Sequence, residues 1–136
     1  MLLVDTGPLV AAADRDDAHH DACRRLLEDH PGPLVTNPMV IAETAYLLDR
    51  QLGARAEAAL FDSITDGTLR VEDLRHLDWE RIAEMVRVYA NLRLGGTDAS
   101  LVAVAERLGI TTIATLNHRH FRVVRPRHVD AFELLP

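Results

Sequence analysis

Short, wholly apolar runs alternate along this chain with longer stretches in which apolar residues recur at helical spacing. Leu2-Leu3-Val4 is apolar at every position, which predicts a strand buried on both faces, as in a parallel sheet. Leu34-Val35-Thr36, Leu69-Arg70-Val71 and the run from Ile110 to Thr115 read as further strands, and Phe132 to Leu135 as an edge strand. The segments between them read as helices. Thr6 caps a short one that reaches Ala13, with Pro8 in its first turn. Residues 17–30 form an amphipathic helix with Ala18, Ala22, Leu26 and Leu27 along one side. Asn37-Pro38 is a cap followed by a first-turn proline, and Gly53 stops the helix that begins there near Leu52. A further helix covers residues 54–66, and another covers 78–92 with Ile82, Met85, Val86 and Tyr89 at core spacing. After Gly95-Gly96, Thr97 caps a helix from Asp98 to Leu108, closed by Gly109. The tail from His118 to Pro136 carries little pattern beyond its edge strand.

Strands alternating with helices predict one α/β domain over residues 1–136, with a mostly parallel central sheet of four to five strands flanked by helices. In such sheets, ligands bind at the carboxyl ends of the strands, where the strand order reverses.

Composition narrows the class. Hydrophobic residues make up 48% of the chain, enough for a packed core. The lone Cys23 cannot form an internal disulfide, which fits a reducing cytoplasm, and its helical setting predicts a small buried residue rather than a reactive thiol. The opening Met1-Leu2-Leu3-Val4-Asp5 has neither the basic nor the long apolar part of a secretory leader, and no run has the length of a membrane span. A formal net charge of −6 argues against a protein that coats nucleic acid through a general basic face. It does not argue against a nuclease, whose metal-holding carboxylates are themselves negative. All 15 strong cations are arginine, a residue suited to bidentate phosphate contacts, although a biased coding composition explains the absence of lysine better than selection for phosphate binding does.

Four polar residues then stand out by position. Asp5 follows the first strand and precedes a helix, where an α/β protein places active-site groups, although turn and cap aspartates are common there. Glu43 is the only charged residue between Pro38 and Leu48, and its helical neighbours Val40, Tyr46 and Leu47 predict a carboxylate in apolar surroundings that needs a partner, a metal or a pocket. Asp98 lies in the first turn of a helix, where the macrodipole alone favours an acid. Asn117 lies just beyond Ile113-Ala114-Thr115, one helix, loop and strand after Asp98. Each signal is weak alone. Together they fall at strand ends and helix starts on one side of one sheet. Arg119 and Arg122, with His118 and His120, lie near the same rim and could meet phosphate.

Leu3-Val4-Asp5-Thr6, Val40-Ile41-Ala42-Glu43, Gly96-Thr97-Asp98-Ala99 and Ile113-Ala114-Thr115-Leu116-Asn117 with His120-Phe121 give the chain, over essentially its whole length, a resemblance to PIN-domain ribonucleases, and to the VapC toxins of VapBC toxin–antitoxin pairs in particular. The resemblance implies an endoribonuclease that depends on Mg²⁺, with Mn²⁺ as a substitute, and cleaves single-stranded or looped RNA. It also implies a VapB-type antitoxin as inhibitor and a homodimer. It carries the family's acidic positions to Asp5, Glu43 and Asp98. Asp5 and Asp98 are expected to hold the ion, Glu43 to bind it or to position the attacking water, and Thr6 and Thr115 to support the site or touch substrate, with Arg119 on phosphate. The family's usual fourth aspartate is Asn117 here, an amide that can still ligate magnesium but adds no charge. That departure keeps a catalytically impaired PIN-fold binding module in view as the alternative.

Two other classes meet the same residues. Asp5-Thr6-Gly7 after an apolar run is the local signature of aspartic proteases, which are all-β, whereas this chain reads as largely helical. A phosphatase with Asp5 as nucleophile would be expected to carry a second aspartate two residues on, where Gly7 stands.

Overall fold

The computed structural model describes residues 1–136. The order is β1 (Leu2–Val4), α1 (Thr6–Ala13), α2 (His20–Asp29), β2 (Leu34–Thr36), α3 (Pro38–Leu52), α4 (Ala54–Thr65), β3 (Leu69–Val71), α5 (His76–Val88), a 3-10 turn (Ala90–Leu92), α6 (Gly96–Leu108), β4 (Thr112–Ala114), α7 (His118–Val123) and β5 (Glu133–Leu135). The five strands form one sheet in the order β3-β2-β1-β4-β5, and every pairing is parallel. The strand pattern predicted from the apolar runs therefore holds, with the sheet wholly parallel. This architecture excludes the all-β protease reading.

The chain builds outward from β1 on one side as β2 and β3, then returns to the other side as β4 and β5. The strand order reverses between β1 and β4, the place where sheets of this kind bind ligands. Gly7 lets these ends approach closely, because a Cβ there would lie 3.2 Å from the Leu116 Cβ. The glycine of the protease-like Asp5-Thr6-Gly7 thus has a packing role, and it fills the place where a phosphatase would carry its second aspartate.

α6 forms the spine of the main core. Every residue from Ala99 to Ala105 is buried, so the helix lacks a polar stripe and reads as an almost unbroken apolar run. Leu3, Val35 and Ile113 of the sheet pack with it, as do Ile82 and Met85 of α5 and Phe121 of α7. Phe121 meets Phe132 edge to face at 6.5 Å, which ties the tail to the core. Truncating a buried phenylalanine of this kind costs about 3–5 kcal/mol.

Several local expectations change. α1 is capped by Asp5, which accepts from the Thr6 N–H, not by Thr6. α2 starts only at His20, because Asp14 and Asp17 accept from the N–H groups of Asp16 and His19 and hold residues 14–19 in turns. Ala18 and Ala22 are exposed, and Cys23 is the buried residue of that helix. α5 begins two residues earlier than its apolar spacing suggests and ends at Val88, after which Arg93 takes a left-handed conformation (φ 56°). Val86, counted among the core positions, is 38% exposed. α6 is capped by Gly95, so Thr97 lies within its first turn.

Candidate active site

The rim between β1 and β4 gathers Asp5, Thr6, Thr115, Asn117, Asp98 and His120, and Glu43 reaches it from α3. Asp5 ends β1 and is only 6% exposed. Its Oδ1 accepts from the Thr6 N–H at 2.7 Å and its Oδ2 from the Thr115 hydroxyl at 2.8 Å. Both donors are neutral. Burial pushes the Asp5 carboxyl up to about 6; the bonds from Thr115 and Thr6 oppose the rise, and the charges of Asp98 and Glu43 add to it. Desolvation therefore outweighs two good hydrogen bonds.

Thr6 links two acids, because its hydroxyl donates to Glu43 Oε2 at 3.0 Å while its N–H serves Asp5. Glu43 itself is exposed, and so are its neighbours Ala42 and Tyr46, the latter at 60%. The apolar surroundings expected for Glu43 are absent: α3 turns Val40, Thr44 and Leu48 inward and leaves Glu43 in solvent at the rim.

Asp98 lies in the first turn of α6, with its side chain 16% exposed, and His120 Nδ1 stands 2.7 Å from its Oδ2. An ionised Asp98 requires that nitrogen to donate. The Asn117 amide lies 2.8 Å from the same nitrogen, and the Asn117 N–H donates to the Thr115 hydroxyl oxygen at 3.0 Å. The atom facing that nitrogen is the Asn117 Nδ2, a donor, so in any one tautomer Nδ1 either donates to Asp98 or accepts from Asn117. A chain of contacts thus runs from Asp5 through Thr115 and Asn117 to His120 and Asp98. His120 is the residue whose role the sequence did not reveal: the rim position was visible, but the contact depends on the six-residue α7, too short to leave a helical periodicity. Arg119 is exposed on α7, and the His118 Nε2–H donates to the Thr115 carbonyl, 3.0 Å away.

Magnesium prefers oxygen ligands, keeps several waters and is commonly held by one or two carboxylates. No three His, Cys, Asp or Glu side chains converge closely enough to cage an ion directly. Oxygens of Asp5, Asp98 and Glu43 on one rim are nonetheless the hard donors such a cation takes, through one or two carboxylates with water completing its shell. Apart from His120, no cationic side chain pairs with any of the three acids.

Known proteins share this fold and much of this sequence. The PIN domain family matches residues 2–126. Ribonuclease VapC26 of Mycobacterium tuberculosis is 31% identical over 135 residues, covering 99% of this chain and 100% of that protein. The 23S rRNA-specific endonuclease VapC20 of the same organism is 31% identical over 114 residues, covering 81% of this chain and 84% of that protein. The crystal structure of M. tuberculosis VapC20, described as a sarcin–ricin loop cleaving toxin, superposes with a TM-score of 0.78 at 28% identity over 83% of this chain and 87% of that one. FitAcB from Neisseria gonorrhoeae, at 14% identity and a TM-score of 0.64 over 100% of this chain and 97% of that one, shares the fold. The chain belongs to the PIN-domain family and is homologous to the VapC ribonucleases.

Proposed function

We propose that this protein is a metal-dependent endoribonuclease, the toxin of a type II toxin–antitoxin pair, acting on single-stranded or looped RNA with Mg²⁺, or Mn²⁺ in its place. The observation that carries the reading is Asp5: nearly fully buried, bonded only by neutral donors and set at the sheet's switch point. A carboxylate kept in that state is costly unless a cation completes it. That the homologues are named as ribonucleases supports the same conclusion.

Asp5, Asp98 and Glu43 would hold the cation, directly or through water. A bound divalent ion supplies charge that polarises the phosphate and stabilises the leaving oxygen. Glu43, fixed by the Thr6 hydroxyl and open to solvent, is placed to orient the attacking water and accept its proton. Thr115 holds Asp5 in one rotamer, and His120 does the same for Asp98. Asn117 serves His120 through its Nδ2 and Thr115 through its backbone N–H, and its carbonyl oxygen is the atom that would reach an ion. Arg119 is free to meet phosphate at the rim. The same reading gives a cytoplasmic protein, a VapB-type antitoxin as inhibitor and a homodimer as the assembly. Exposed Tyr46, Leu77 and Trp79 offer apolar contact area for such partners. No helix is long and apolar enough to cross a membrane.

The test is cleavage of structured RNAs by purified protein with Mg²⁺ or Mn²⁺, with chelator, and by Asp5→Asn. Cleavage that needs the metal and is lost in Asp5→Asn is expected. Cleavage that survives the chelator contradicts the metal reading. A wild type inactive with every metal and RNA, joined by an Asn117→Asp variant that cleaves, points to the binding module with an intact but disabled site.

A further inference from the structure

Asn37 and Ser100 are both fully buried, and neither belongs to the acidic rim. Asn37 caps α3: its Oδ1 accepts from the N–H groups of Met39 at 2.9 Å and Val40 at 3.2 Å. Its Nδ2 points the other way and donates to Ser100 Oγ at 3.0 Å, and Ser100 in turn donates to the Thr97 carbonyl at 2.6 Å. One line of hydrogen bonds therefore joins the first turn of α3 to the first turn of α6. The two helix starts are also in close contact, because a Cβ on Gly96 would lie 3.2 Å from the Met39 Cε. α3 carries Glu43 and α6 carries Asp98.

We propose that Asn37 and Ser100 are positioning residues that fix the spacing of Glu43 and Asp98, and with it the affinity of the rim for a divalent cation. The inference rests on the metal-binding reading given above. Capping alone does not account for the pair. Serine, threonine or aspartate supplies a capping oxygen as well as asparagine does, and none of them brings an amide nitrogen. That nitrogen is the part of Asn37 that the cap leaves unused, and it is spent on the helix bearing the other acid. Nor does stability account for it, since a buried polar pair gains little over an apolar pair of the same shape. What a hydrogen bond adds over an apolar contact is direction. Packed side chains can slide past one another, whereas the Asn37–Ser100 bond fixes how far α6 projects beside α3. Magnesium and manganese are sensitive to such shifts, because their small coordination shells tolerate little displacement of a ligand oxygen.

The test is calorimetric titration of Mn²⁺ into the RNA-free protein, with a melting curve for each variant. Ser100→Ala removes the link and keeps the cap; Asn37→Ser keeps a capping oxygen and loses the reach to Ser100. Val102→Ala opens a cavity at another fully buried position of α6 and leaves the bond line whole. Ser100→Ala and Asn37→Ser are each expected to weaken Mn²⁺ binding about tenfold, the lower end for residues behind metal ligands, while Val102→Ala stays within about twofold of wild type despite its lower melting temperature. Wild-type affinity in both polar variants would overturn the proposal, as would an equal loss in Val102→Ala. A wild type that binds no Mn²⁺ would instead overturn the metal reading, and this inference with it.

Discussion

Two acidic regions of this protein bury an aspartate almost equally and use it in opposite ways. Asp78, on α5, is 4% exposed; Asp5, at the end of β1, is 6% exposed. Asp78 accepts from the Arg107 Nε at 3.0 Å and from the Arg75 N–H at 2.9 Å. Around it, Arg107 also holds Glu72, Arg81 holds Glu106, and Arg127 holds Glu84. The Arg107 guanidinium keeps the Glu72 carboxyl below its usual range. Asp5 has one hydroxyl and one amide donor and no guanidinium, and its carboxyl is pushed up to about 6. Burial is thus a poor guide to role on its own. Where an arginine completes the carboxylate, the acid helps hold α5 to α6. Where only neutral donors orient it, charge is left uncompensated, and a cation from solution can complete it.

The contrast predicts that one chemical change will have opposite consequences at the two sites. Asp5→Asn should lower metal-dependent RNA cleavage by more than about 100-fold, beyond the range found for residues behind metal ligands. It should also raise the stability of the metal-free protein by about 1–2 kcal/mol, because asparagine caps α1 as well and needs no desolvation of charge. Asp78→Asn should do the reverse. It should cost about 2–3 kcal/mol in a denaturant melt, less than for a fully buried pair because Arg107 keeps Glu72, and leave cleavage by the folded protein near wild type. Two variants shifting stability in the same direction would break the comparison.

A smaller effect follows with pH. Asp5 holds its proton more tightly in the folded chain, at about 6, than at its ordinary 3.8. Its contribution to the stability of the metal-free protein is therefore complete below about pH 4, declines as pH rises, and is gone above about pH 6, a span of about 2–3 kcal/mol. The melting temperature of wild type minus that of Asp5→Asn should fall across this window, and a flat difference would contradict the assignment. Asn117→Asp is the mildest change. Returning the family's carboxylate should strengthen Mn²⁺ binding about tenfold, by 1–2 kcal/mol, in a calorimetric titration. Unchanged affinity would mean that position 117 serves His120 alone.

The apolar runs Leu2-Leu3-Val4 and Leu34-Val35-Thr36 announced the sheet because strands covered on both faces admit no polar alternation. Asp5 and Asp98 could be placed for the same reason: chain ends of such strands and helices sit on one rim. What stayed hidden depends on how helices are turned and on short elements. Glu43 has apolar sequence neighbours, yet the rotation of α3 leaves it in solvent, which no local pattern states. α7 is a single six-residue element whose anchor, Phe121, declares itself only through its packing on Phe132, so the His120–Asp98 contact was not legible. The second use of Asn37, beyond capping, needs Ser100 from a distant helix.

In the proposed function a cation takes the place of the proton on Asp5. The most direct measurement is calorimetric titration of Mn²⁺ at pH 6 in two buffers of different ionisation enthalpy, repeated at pH 8 and with Asp5→Asn. Release of about half a proton per ion is expected at pH 6, almost none at pH 8, and none from the variant. Heats independent of buffer at pH 6, or equal Mn²⁺ binding by Asp5→Asn, would contradict it.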